Sequence, residues 1–354
     1  MPRDSPHREA ALDHHLLDRI SLQLARRTNR RAGILAALGL VAVPAVGSAR
    51  KKKQTCTVCA SGCRHTTIEA AVAEAAPGAV ITVGPGTYTP LALDPTSIGV
   101  ISITQDLTIR ACSTKHRQIP VIQVDPNTTG SILFTIGNVD AQYTCIGAQP
   151  KVLLENLIIE NTTENTKSAI AAACNGKTTL RNLLVSGFGS STQFAPIGFG
   201  LGVTGLVDRC LIRGNGVSYV DTITGIAAFS TDPLAHTELT IKDSEITDNH
   251  GPRGALSVSG NTTMKLTGST KIHGNTATGY GGGGVYLSVG SANLTPELKI
   301  GREVLITGNT SAVQGGGIFA GGNTTVTGAT TRTVRDNVAP SCNNYWQDRV
   351  CVLN

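Results

Sequence analysis

One phrase returns through the second half of the chain and constrains the fold more than any other feature. It is a short β-branched run closed by Asn or Gly. The copies are Leu157-Ile-Ile-Glu-Asn161, Leu183-Leu-Val-Ser-Gly187, Leu211-Ile-Arg-Gly-Asn215, Glu245-Ile-Thr-Asp-Asn249, Lys271-Ile-His-Gly-Asn275, Leu305-Ile-Thr-Gly-Asn309 and Thr333-Val-Arg-Asp-Asn337. The closing positions are 26, 28, 34, 26, 34 and 28 residues apart. A near-fixed period in this range is the signature of a solenoid. Each run is too short for a helix and rich in strand formers, so each copy predicts one strand per turn. Ile158, Leu184, Ile212, Ile246, Ile272, Ile306 and Val334 stand three residues before the closing positions. They predict one inward column of aliphatics shared by stacked parallel strands. The closing Asn residues, Asn161, Asn215, Asn249, Asn275, Asn309 and Asn337, keep a constant offset from that column. Asn tolerates the left-handed corner, and its amide can bond the copies above and below. They predict an internal Asn ladder.

Composition agrees with an all-β chain. Gly accounts for 40 of 354 residues, aromatics for 4% and hydrophobic residues for 40%. That balance excludes a helical bundle and a wholly disordered chain. Earlier strands are expected at Val80–Val83, Val100–Ile103, Leu107–Ile109, Val121–Val124 and Ile132–Ile136. Thr66–Ala76 reads instead as an amphipathic helix of about three turns, opened by the capping box Thr66-Thr-Ile-Glu69 and stopped by Pro77-Gly78. It is the expected lid over the first turn, because a solenoid's open apolar end needs a cap. The Gly clusters Gly281–Gly284 and Gly315–Gly317 lack the Gly-Lys-Ser/Thr ending of a phosphate loop and read as tight passages between strands.

The net charge of +6 is confined to one end. Residues 1–49 carry seven Arg and four acidic residues, and Arg50, Lys51, Lys52 and Lys53 add four more positive charges. From Gln54 onward 19 basic residues face 20 acidic ones, so the body gives no electrostatic support for nucleic-acid binding. Ala32–Ala49 is an uncharged 18-residue run preceded by Arg26-Arg27 and Arg30-Arg31, and it ends in small residues. It reads as an export signal of twin-arginine type, with a retained membrane anchor as the alternative. The expected organisation is a signal over 1–49, a basic and Cys-rich linker over 50–63, a β-helix over 64–340 and a C-terminal cap over 341–354. The expected location is outside the cell or on its surface.

All nine cysteines follow the apolar run. Export favours disulfides, and an odd number leaves at least one cysteine over. Cys342 and Cys351 are expected to pair. Cys56, Cys59 and Cys63 are disulfide candidates that, with His65, have zinc spacing as the alternative.

Thr66–Tyr88, TTIEAAVAEAAPGAVITVGPGTY, resembles the opening of right-handed parallel β-helix proteins of the pectin-lyase-like superfamily. The late Gly-Gly-Gly-Val-Tyr and Gly-Gly-Gly-Ile-Phe phrases resemble repeats of polymorphic outer-membrane and adhesin-like proteins. The resemblance covers roughly residues 64–340. It implies a right-handed parallel β-helix of eight to eleven turns, and it implies no single activity. The motifs of the superfamily's hydrolases, methylesterases and one lyase group are absent from the chain, so no catalytic residue carries over.

Three classes of function remain: an enzyme, a binding or adhesion scaffold, and a purely structural cell-surface protein. A catalytic reading gathers Asp243, Asp248, His250 and Arg253 on one turn, beside Glu245, with Asp221, Asp232 and His236 one turn earlier. Paired carboxylates could hydrolyse a glycosidic bond, or could hold Ca²⁺ while a base removes a proton, as in a lyase. A binding reading needs no cofactor and uses the stacked Thr and Asn rows to meet polysaccharide or another cell-surface component. Tyr286 and Phe319 follow the Gly clusters at matched places and are the candidate sugar-stacking aromatics, with ordinary packing as the alternative of equal weight. Absent catalytic motifs and plain repeats favour the non-catalytic scaffold.

Overall fold

The computed structural model describes the chain from Cys56 to Asn354, except residues 92–98, 114–117, 126–131, 139–144, 148, 163–167, 190–194, 217–224 and 291–293. The expected signal, Arg50–Lys53 and Asp221 lie outside the described residues.

The chain forms a parallel β-helix. Two sheets of nine strands and one of ten run the length of the described body, and a short fourth sheet of three strands joins them late. Each coil gives one strand to each long sheet in turn. The third coil, for example, contributes Lys151–Glu155, Ile158–Glu160 and Ser168–Ala172. With strands about 4.8 Å apart, nine coils make a rod roughly 40 Å long.

The core follows from the period of two along each strand. On the first sheet Ile81, Ile109, Leu154, Leu180, Val207, Ile241, Leu266 and Ile300 pair in register and face inward. On the second sheet the inward column is Ile122, Ile159, Val185, Ile212, Ile246, Ile272, Ile306 and Val334, all fully buried. This corrects two expected members. Leu184 pairs with Ile158 on one side and Leu211 on the other, and these three form a separate apolar cluster backed by Ile119 and Val121. The run Leu-Ile-Ile offers two adjacent branched residues, and only cross-strand pairing decides which one turns inward.

The same one-residue shift places Asn161. The Asn ladder runs through Asn215, Asn249, Asn275, Asn309 and Asn337, each side-chain amide donating to the next Oδ1 at 2.9–3.0 Å. It ends on Asn344, which accepts from Asn337 at 3.0 Å and which the repeat pattern did not reveal. The fully buried Phe188 takes the preceding place, and its backbone N–H donates to Asn215 Oδ1 at 3.0 Å. Asn161 stands one residue ahead of this column, because Ser186 pairs with both Glu160 and Arg213. The Gly clusters have a physical cause in the ladder. A Cβ on Gly317 would stand 2.7 Å from Asn337 Nδ2, and one on Gly284 3.2 Å from Asn309 Nδ2.

The helix covers Ile68–Ala73, shorter than the three turns expected, with Thr67 as N-cap accepting from Ala70 N–H. Ile68, Ala71 and Val72 are buried and join the main core. The expected linker is part of this body from Cys56 onward. Val58 is fully buried and bridges both Val83 and His65, and Cys56 is bonded to Cys112 in the second coil. The other disulfides are Cys59–Cys63, Cys145–Cys174 and Cys342–Cys351, and Cys210 is a buried free thiol. Cys56, Cys59 and Cys63 are therefore disulfide sulfurs rather than thiolates able to bind zinc. At the C-terminal end, Val350–Leu353 turns back antiparallel on Tyr345–Gln347 and closes the third sheet. Among the described residues no helix is long and apolar enough to cross a membrane.

Candidate functional site

The described acids singled out in the sequence, Asp232, Asp243, Glu245 and Asp248, are distributed over separate turns, corners and strands. Asp232 sits in the turn that leads into the first sheet, where its Oδ1 accepts from Leu234 N–H at 2.8 Å. His236 lies in the same turn, its Nδ1 2.8 Å from Asn261 Oδ1. The strand Thr237–Lys242 then separates them from Asp243. Six extended residues span about 20 Å, beyond the roughly 5–9.5 Å between carboxylates that glycoside hydrolysis uses.

Asp243 and Asp248 both sit at corners of the coil. Asp243 has φ 49° and follows a first-sheet strand, as Asn156, Asn182 and Arg209 do with φ of 58°, 50° and 56°. Its carboxylate accepts from Ser269 N–H at 3.0 Å and from the Ser269 hydroxyl at 3.2 Å, tying one coil to the next. Asp248 has φ 56° in the corner after the second sheet, a place held by Gly214, Gly274 and Gly308 on neighbouring coils. Short polar residues are among the few with a side chain that enter this region readily. Corner geometry thus accounts for both aspartates. Glu245 belongs to the second sheet and contacts His273 Nε2 at 2.9 Å. Among the described residues no cluster of three His, Cys, Asp or Glu could hold a metal ion.

His250 and Arg253 lie on the short fourth sheet, strand His250–Arg253. His250 is exposed, whereas Arg253 belongs to an aromatic assembly. Tyr286, Phe319 and Trp346 pair in register on the outer side of the third sheet. The Tyr286 and Phe319 rings stack with centroids 5.2 Å apart and planes 4° from parallel, and the Phe319 and Trp346 rings at 4.7 Å and 8°. The Arg253 guanidinium lies 5.0 Å from the Tyr280 ring and 5.3 Å from the Tyr286 ring, and Tyr280 meets Tyr286 edge-on. The structure thus joins Tyr286 and Phe319 to Trp346 and Tyr280, which sequence reading did not connect to them. Phe319 is stacked between Tyr286 and Trp346, and Tyr286 lies between Phe319 and Arg253, so neither offers the open face that sugar stacking requires. The assembly reads as an external ladder bracing the last three coils.

The surface most regular in chemistry is the outer face of the first sheet. Its outward positions form three columns along the rod. One holds Lys151, Lys177, Thr204, Glu238, Thr263, Glu297 and Thr325. The central column holds Thr108, Leu153, Thr179, Leu206, Thr240, Lys265, Lys299 and Thr327. The third alternates in sign, through Arg110, Glu155, Arg181, Asp208 and Lys242. Arg181 reaches Asp208 at 3.2 Å and Glu155 at 3.6 Å, and Lys299 reaches Glu297 at 2.9 Å. Lys265 donates to Glu238, and this bond holds the Glu238 carboxyl below the usual carboxylate range. A shallow depression of about 250 Å³ lies on this face, lined by Thr108, Lys151, Val152, Leu153, Lys177 and Thr179. The lysines went unremarked in the sequence because only the coil period brings positions 151 and 177 side by side.

Comparisons with protein-family models, with curated proteins and with solved structures find no match to this chain, which leaves its own geometry to carry the functional reading.

Proposed function

We propose that this chain is an exported, surface-associated β-helix of pectin-lyase-like type that binds polysaccharide without cleaving it, along the outer face of its first sheet. One observation carries the reading: that face repeats Thr, Lys and Glu at strand spacing over most of the rod, while the candidate acids are spread over separate corners and turns. Repeated hydroxyls, ammonium groups and carboxylates about 4.8 Å apart offer donors and acceptors in rows, which suits an extended chain of sugar hydroxyls. The apolar side chains of Leu153 and Leu206 in the central column give pyranose C–H groups a surface to lie on. No cofactor enters this reading.

The test incubates the folded protein with acidic and neutral polysaccharides, with and without Ca²⁺. New reducing ends and unsaturated products are followed, and insoluble glycan is pulled down from the same tubes. Retention on glycan without products is the expected result. Product formation lost in Asp243→Ala or Asp248→Ala would replace this reading by a lyase or hydrolase.

A further inference from the structure

Charge on the first-sheet face is balanced almost everywhere. Arg181 stands between Glu155 and Asp208, Lys242 lies opposite Asp208, and Lys265 and Lys299 are bonded to Glu238 and Glu297. Lys151 and Lys177 break the pattern. They are direct cross-strand neighbours, both exposed, and neither ammonium forms an ion pair among the described residues; the carboxylate beside them, Asp106, accepts from the Lys151 backbone N–H at 2.8 Å and leaves the pair with one positive charge in excess. Two like charges facing each other across adjacent strands oppose folding. The sequence nonetheless places them at the rim of the one depression described on this face, beside two hydroxyls and over an apolar floor.

We infer that Lys151 and Lys177 form an anion site for a tetrahedral ester, a sulfate or phosphate group carried on a polysaccharide. The inference rests on the polysaccharide reading above and names the class of glycan. Two ammonium groups on strands about 4.8 Å apart can both donate to one oxyanion, which removes their mutual repulsion. The Thr108 and Thr179 hydroxyls flank Leu153 in the central column and supply neutral donors. A tetrahedral ester presents three terminal oxygens, enough for both lysines and one threonine, whereas a carboxylate presents two. The Leu153 side chain then lies under the sugar that bears the ester. Binding at this rim is non-covalent and requires no metal.

The test compares dextran, dextran sulfate and alginate as probes in affinity electrophoresis of the whole protein. Dextran sulfate is expected to retard the wild type about tenfold more strongly than dextran or alginate, with the preference lost in the Lys151→Gln/Lys177→Gln double variant. The Lys151→Arg/Lys177→Arg variant should keep it, as should Lys271→Gln, which removes an exposed lysine on the second sheet. Inorganic sulfate at tens of millimolar should compete with the polymer, as screening and direct occupancy both require. Alginate binding as tight as dextran sulfate would overturn the tetrahedral assignment. An unchanged double variant would overturn the site, and dextran retention that survives it would leave the broader polysaccharide reading standing. Absence of retention on any of the three polymers would overturn both.

Discussion

The side-chain amide of Asn275 donates to Asn309 Oδ1 at 2.9 Å while its own Oδ1 receives both the amide and the backbone N–H of Asn249, at 2.9 and 3.0 Å. The same Nδ2 lies 3.0 Å from the carbonyls of Ile246 and His273. Asn275 therefore satisfies buried polar groups on three coils at once. Removing it leaves donors and acceptors without partners in the interior, at roughly 1–3 kcal/mol for each group left unmade. We expect Asn275→Ala to cost at least about 3 kcal/mol, read as a lower midpoint in guanidinium unfolding. Asn323→Ala, which breaks only an exposed bond to Thr295, should stay within about 0.5 kcal/mol of wild type. Equal losses in the two variants would contradict the ladder's role.

The external aromatic ladder makes a second prediction, and the chain's single Trp reports it. Phe319 lies between Tyr286 and Trp346 and stacks on both. Such pairs contribute about 0.5–1.5 kcal/mol each beyond area burial. Phe319→Leu is expected to cost about 1–3 kcal/mol and to shift Trp346 emission to the red, since the indole loses its covering ring. Unaltered emission with unaltered stability would show the stack to be incidental.

Cys210 gives a pH dependence with a definite sign. Burial pushes its thiol up to about 12, above the ordinary value of 9.0. The thiol is enclosed near the Leu180 and Asp208 carbonyls. A raised folded value means the folded chain holds its proton more tightly than the unfolded chain does. The stabilisation is complete below pH 9 and is lost as pH rises from 9 towards 12. Native protein at pH 8 should take up no iodoacetamide, and denatured protein should take up one equivalent with the disulfides intact, as read by mass spectrometry. Cys210→Ala should flatten the alkaline limb of the stability curve, and rapid labelling of the native state would contradict the burial argument.

The sequence made the solenoid legible because a period of 26 to 34 residues with fixed internal offsets has few other physical solutions. The Asn ladder from Asn215 to Asn337 was readable for the same reason. The register of the earlier coils was not, since Leu157-Ile-Ile and Leu183-Leu-Val each offer two branched residues with equal claim to the interior. The partners of Cys56 and Cys145 were hidden because Cys112 and Cys174 lie outside any repeated phrase and meet them only through coil stacking. The Asp243–Arg253 segment carries its charges on strands and corners because alternation turns polar residues outward in any solenoid. The corners of a β-helix turn such neighbours in different directions. The Lys151–Lys177 pair was invisible for the converse reason, being 26 residues apart and one strand apart.

The central claim is that the first-sheet face holds polysaccharide. Leu206 and Thr240 are adjacent outward residues at the middle of that face. Affinity electrophoresis of a Leu206→Glu/Thr240→Arg variant, which covers the middle of the face with an ion pair of no net charge, against wild type and against Lys271→Glu on the second sheet, addresses the claim most directly. The account predicts that wild type and Lys271→Glu are retarded alike by the glycan they bind, that the double variant migrates freely, and that all three keep the same thermal midpoint. Full retardation of a folded double variant would contradict it.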